Sequence, residues 1–276
     1  GNYLAGVVWP PVVQHYVEST GWRQTYAGIG LFCLATMVPL SLLLRRRPPD
    51  ALLSAAASPA PGAGATAVSS LAALERPMGL SRERLFALLI IAGIACCVAM
   101  AMPQVHIVAF CGDLGYGPAR GAQMLSLMLA CGIVSRLVSG WICDRIGGLR
   151  TLLLGSVLQG VALLLFLPSD GLVALYVASA LFGLFQGGIV PSYAIIVRDF
   201  FPGREAGTRV SMVLMATLLG MALGGWLSGK VFDLTGSYHA AFLNGIAWNL
   251  LNGAIALWLL LRQRRWLRGG PLAAAA

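Results

Sequence analysis

Along its length the chain alternates long apolar runs with short clusters of charge. Residues 1–17, 24–44, 85–112, 151–169, 171–197, 210–229 and 234–261 contain no Asp, Glu, Lys or Arg, and 121–143 is broken only by Arg136. A helix needs about 20 apolar residues to cross a bilayer, so the pattern predicts eight transmembrane helices. Most of these runs are apolar around the whole helix and not along one stripe. That suits lipid or the inside of a membrane bundle better than a water-facing surface. The expected fold is an all-α integral membrane bundle.

Between the second and third runs lies PPDALLSAAASPAPGAGATAVSSLAALERPMGL, rich in Ala, Pro, Gly and Ser. It cannot bury enough apolar side chain to order itself. Residues 48–82 are therefore expected to be a flexible linker between a two-helix segment, 1–47, and a six-helix unit, 83–268. A short tail, 269–276, follows. Gly1 already lies within an apolar run, so the chain is expected to be the C-terminal part of a longer protein.

Composition agrees with the pattern. The chain is 58% hydrophobic and 11% charged, with a mean hydropathy of +0.80, whereas soluble domains carry about 25% charge. Its net charge of +9 raises nucleic acid as a partner until the charges are located. Alternating the eight runs across a membrane puts fifteen arginines at one set of ends and only Arg23, Arg120 and Lys230 at the other. That bias is the positive-inside rule, which makes the fifteen cytoplasmic and the C-terminus cytoplasmic. Basicity thus encodes topology and contact with the lipid bilayer, not nucleic-acid binding. The expected location is the cytoplasmic (inner or plasma) membrane, crossed many times.

The charged turn after the fourth run reads Gly140-x-x-x-Asp144-Arg145-x-Gly147-Gly148-x-Arg150. Asp144 at a helix end can meet arginines and the positive N-terminus of a neighbouring helix. Gly147 and Gly148 allow a tight reversal, and Gly140 allows close helix contact. Such a charge-and-dipole lock can hold a gate in one state and release it in another; the plainer reading is a topogenic turn of mixed charge.

This turn resembles the loop motif of the major facilitator superfamily (MFS). WPPVVQHYVESTGWRQTY, MPQVHIVAFCGDLGYG and GKVFDLTGSYHAAF resemble stretches of its monocarboxylate-porter and oxalate/formate-antiporter branches. The resemblance implies an MFS-type helical bundle. The eight runs would be helices 5 to 12: the last two of the N-terminal half and all six of the C-terminal half, with four preceding helices missing here. It also implies a secondary transporter, working by alternating access on a small-molecule substrate. In those branches an arginine of the eighth helix is associated with a substrate carboxylate, and Arg136 falls at that position. The implied substrate is a small organic anion, monocarboxylate-like, moved with proton coupling or by exchange.

Arg136 also stands out without the family. An arginine inside a membrane helix costs at least about 2.5–3.5 kcal/mol on insertion scales, so it needs a partner or a wet cavity. Gly132 and Gly140, one turn to either side, and the flanking Ser135 and Ser139 leave room for a ligand or another helix. The structural alternative is an arginine snorkelling toward the charges around Asp144. Some monocarboxylate porters carry an acid at the position of Gly132. Oxalate-type relatives carry a lysine within the eleventh helix, whereas Lys230 is expected past that helix's outer end.

Gln104 and His106, near the outer end of the family's seventh helix, and Gln186 and Tyr193, on its tenth, are further candidates for substrate contact. Gly187, Gly188 and Pro191 invite a bend beside them. Asn244, Asn249 and Asn252 are expected to serve helix packing. No Asp or Glu lies inside any apolar run, which leaves His106, His15 or the missing helices to carry a coupled proton.

Neither a Cys/His ligand spacing, nor HExxH, nor a phosphate-binding GxxxxGK[ST] loop occurs, so no metal, no cofactor and no enzymatic activity are expected. Alternative readings are a drug or cation efflux protein of the same superfamily and a non-transporting sensor on the same fold.

Overall fold

A computed structural model of the chain describes residues 2–43 and 77–269. Its helices are α1 (Asn2–Thr20), α2 (Trp22–Leu43), α3 (Arg82–Asp113), α4 (Pro118–Ile146), α5 (Gly148–Phe166), α6 (Leu172–Gln186), α7 (Ile189–Phe200), α8 (Gly203–Thr235) and α9 (Tyr238–Gly269). No strand occurs among the described residues. In lipid a backbone must satisfy its own hydrogen bonds, and a helix does so within one segment.

Seven spans among the described residues are long and apolar enough to cross a membrane: α2, α3, α4, α5, α6 with α7, α8 and α9. The remaining predicted segment forms α1, where Pro10, Pro11, Gln14, His15 and Glu18 lower the hydropathy. The linker expected over 48–82 and the tail over 269–276 lie largely outside the described residues. The described residues resume with a 3-10 turn at Pro77–Gly79. Ser81 then caps α3, its hydroxyl accepting from the Arg84 N–H at 3.4 Å, which starts the helix within the charged approach to the apolar run.

Two compact units divide the chain. Residues 12–73 make one; 1–11 and 74–276 make the other. In the first, Gly21 turns the chain at φ 85° between α1 and α2. The Thr20 and Thr25 hydroxyls meet across that turn at 3.3 Å.

In the second unit α3 runs against both α8 and α9, α4 packs on α6, and α5 packs on α9. The α3–α8 contact is close because of glycine. A Cβ on Gly220 would come 2.6 Å from the Ile94 carbonyl oxygen, and one on Gly224 would come 2.6 Å from Val98. At the end opposite the arginines, Phe166 stacks on Phe242 with centroids 5.0 Å apart, and Phe110 and Phe182 close edge-on around them. Large apolar side chains also face outward, such as Leu137 (73% exposed) and Trp226 (65%). An outward apolar face of this kind is what a lipid-facing surface requires.

α6 and α7 are one span interrupted at Gly187–Gly188. Pro191 has no N–H for the Gly187 carbonyl, which weakens the helix there. The break also brings the backbone against α4. Ser135 Oγ accepts from the Gly187 N–H at 3.1 Å, and a Cβ at Gly188 would overlap Ser139.

Candidate functional site

Arg136 sits half-buried on α4, between Ser135 and Ser139, which both face the α6–α7 break. Its guanidinium lies over the Tyr3 ring, 4.3 Å from the centroid. Its Nε is buried with no hydrogen-bond partner among the described residues. The Tyr3 ring also fills the space above Gly132, where a Cβ would overlap it. The small residue one turn before the arginine is thus matched by an aromatic ring arriving from α1. A cation over a π-face gains about 0.5–2 kcal/mol. This offsets part of the cost of the buried charge without neutralising it.

Gln104 and Gln186 meet directly. Gln104 Nε2 donates to Gln186 Oε1 at 3.1 Å, joining α3 to the end of α6. Gln186 is fully buried, and its own Nε2 has no partner among the described residues. Gln186 precedes the Gly187 N–H held by Ser135, so the amide pair and the arginine flank the same helix break.

The other two predicted contacts are engaged elsewhere. His106 Nε2 lies 2.9 Å from the Gly225 carbonyl oxygen on α8. A carbonyl only accepts, so Nε2 is the donor in this contact. Tyr193 is fully buried, and its hydroxyl donates to Asn252 Oδ1 at 2.7 Å. Asn252 in turn donates to Ser156 Oγ at 3.2 Å, and Asn249 donates to the Ser156 carbonyl at 3.0 Å. This polar network ties α7 and α5 to α9.

The charged turn is built on Gly147, whose φ of 84° serves both the end of α4 and the start of α5. Its N–H donates to the Cys143 carbonyl at 2.8 Å. Gly148 lies against α7, where a Cβ would come 2.8 Å from Ile196. Arg145 stacks on Trp141 at 4.0 Å. Gly140 faces open space, and Asp144 and Arg150 are exposed. Among the described residues Asp144 makes no ion pair, so no lock through Asp144 is formed within them. Gly147, Gly148 and Arg150 line a cavity of about 230 Å³ with Asp199 and Arg264.

Sequence reasoning missed two features. Tyr3 is one, for no local signal links a tyrosine near the start of the chain to an arginine 133 positions later. Arg209 is the other. Its guanidinium lies between the Phe86 and Phe201 rings, at 4.8 and 4.7 Å, and pairs with Glu83 at 2.8 Å and Glu205 at 3.1 Å. The Glu205–Arg209 spacing was legible as an i,i+4 helix pair; the aromatic sandwich was not. The expectation for Lys230 needs correcting: α8 continues to Thr235, so Lys230 lies on the helix, exposed near its end. The helix outlasts its apolar run because a polar last turn still forms its own backbone bonds. No cluster of His, Cys, Asp or Glu suited to a metal ion occurs among the described residues.

The chain matches the family model described as Major Facilitator Superfamily over residues 1–172 and 112–274. It is 31% identical over 160 residues to monocarboxylate transporter 13 of Rattus norvegicus, a match covering 57% of this chain and 37% of that protein. It is 28% identical over 256 residues to monocarboxylate transporter 11 of Mus musculus, covering 88% of this chain and 54% of that protein. The chain thus spans about half, or less, of the curated relatives it matches. Among solved structures it is similar to the major facilitator superfamily transporter FucP in the outward conformation. The TM-score is 0.55 at 19% identity, over 87% of this chain and 55% of that one. At that identity the likeness concerns the fold alone.

Proposed function

The chain belongs to the major facilitator superfamily, and on that premise we propose that it acts as a secondary transporter for a small organic anion, with Arg136 as the group that meets the carboxylate. The observation that carries this reading is the state of that arginine. Its Nε is buried without a hydrogen-bond partner among the described residues, its guanidinium is stacked on a neutral ring, and it forms no ion pair among them. A guanidinium held this way keeps its charge and its donors for a ligand. A carboxylate is the group it bonds best, in a bidentate charge-assisted pair. The names of the relatives, monocarboxylate transporters 13 and 11, support the same substrate class.

Gln104 and Gln186 are the neutral polar partners in this reading, beside a broken helix of the kind that lines transporter sites. Alternating access works by rocking around that break, and the turn from Gly140 to Arg150 acts at the gate. The arginine-rich ends, including Arg145, Arg150 and the C-terminal end of α9, face the cytoplasm. Flux runs by proton coupling or by exchange. For coupling, His106 offers an imidazole within an apolar run.

The test is counterflow of labelled monocarboxylates into proteoliposomes holding the full-length protein, with and without a pH gradient. Wild type accumulates label, and Arg136→Gln does not, although it inserts normally. Accumulation by Arg136→Gln at the wild-type rate overturns the assignment. Binding without any flux would make the protein a sensor.

A further inference from the structure

The arginine-rich end of α9 carries a groove that the transport reading does not use. Trp258, Leu261, Arg262, Arg265 and Trp266 line it with Met78 and Gly79 from the turn before α3, and its volume is about 350 Å³. The α9 residues recur every three to four positions, so one face of the last helical turns carries two indoles and two guanidiniums. Arg262 is fixed in place. Its Nε donates to the Met78 carbonyl at 3.0 Å, its Nη2 donates to the Gly79 carbonyl at 3.3 Å, and it stacks on Trp258 at 5.3 Å. These bonds hold Met78 at φ 59°, with its side chain buried, a left-handed conformation that a non-glycine residue adopts only when its surroundings impose it. Arg265 is exposed at the groove. Among the described residues no acid lines the groove and Arg265 makes no ion pair.

We propose that this groove binds the phosphate headgroup of an anionic phospholipid of the cytoplasmic leaflet. Arg265 and the remaining Nη1 of Arg262 bond the phosphate oxygens, and Trp258, Leu261 and Trp266 take the glycerol and upper acyl carbons. Guanidinium suits phosphate geometry, and tryptophan settles at headgroup depth. The cytoplasmic leaflet supplies the anionic lipid. A soluble anion would match the charges but leave both indoles and Leu261 without an apolar partner. A lipid satisfies both halves of the groove.

Native mass spectrometry of the full-length protein, released from micelles containing phosphatidylglycerol or phosphatidylcholine, tests this. Micelles have no sidedness, so the result is independent of transport and of membrane orientation. Wild type retains phosphatidylglycerol over phosphatidylcholine. Arg265→Gln lowers retained phosphatidylglycerol about tenfold, as expected for one lost charge-assisted bond, and Trp266→Leu also lowers it. Arg268→Gln, which removes the same charge outside the groove, leaves retention unchanged. An equal loss in Arg268→Gln, or no loss in Arg265→Gln, overturns the site. Displacement of the lipid by an equal concentration of glycerophosphoglycerol overturns the lipid as its occupant.

Discussion

The Tyr3 ring lies beneath the Arg136 guanidinium at 4.3 Å from its centroid, and the same ring covers Gly132, one helical turn earlier on α4. One aromatic side chain therefore supports the charge and occupies the position from which an acid would neutralise it.

Arg136 stacks on the face of the Tyr3 ring. Tyr3→Phe is expected to keep both thermal stability and anion affinity near wild type. Tyr3→Leu removes the π-face and lowers stability by about 0.5–2 kcal/mol. Thermal unfolding in detergent, with labelled-anion binding alongside, checks this. Equal behaviour of the two variants would sink the cation–π role.

Gly132→Asp places a carboxylate one turn from Arg136, at the spacing where helix ion pairs form. It also overlaps the Tyr3 ring, as any Cβ there would. Anion affinity should fall about tenfold as the guanidinium is neutralised. Adding Tyr3→Ala should restore stability but not affinity. Equilibrium binding that is unchanged in Gly132→Asp would show that the anion's partner is another group.

Tyr193→Phe removes the hydrogen bond to Asn252 at the centre of the α5–α7–α9 network. Interhelical hydrogen bonds in membranes contribute about 0.6 kcal/mol on average and at most about 1.7. A stability loss in that range is expected, with anion affinity within about twofold of wild type. A large loss of affinity at unchanged stability would place Tyr193 in the substrate site.

Gly224→Val inserts side-chain atoms where a Cβ already comes 2.6 Å from Val98. Overpacking of this kind costs about 1–3 kcal/mol, and it should separate α3 from α8. Gly112→Ala, at a glycine facing open space, is the matched control. The two variants are compared by melting temperature and by monodispersity on size-exclusion chromatography; similar profiles would mean that the α3–α8 seam is not tight.

Hydropathy against a bilayer is a property of each segment alone, and so is the self-contained hydrogen bonding of a helix. The position of seven of the eight expected spans, the arginine bias between their ends and the helix break at Gly187–Gly188 were therefore legible residue by residue. The turn at Gly147 was legible for the same reason, because its φ of 84° is a local demand that glycine meets. Arg136 drew attention because a charge in an apolar run is costly wherever that run lies.

What Arg136 and His106 face depends on which helices come together, and their helices, α4 and α3, carry no apolar stripe to mark the inward face. Only the tertiary structure decided that Tyr3 would meet Arg136, that Gln104 would meet Gln186, and that His106 and Tyr193 would bond to α8 and α9. Each pairing joins two helices far apart in the chain, and helical periodicity names a face without naming its neighbour.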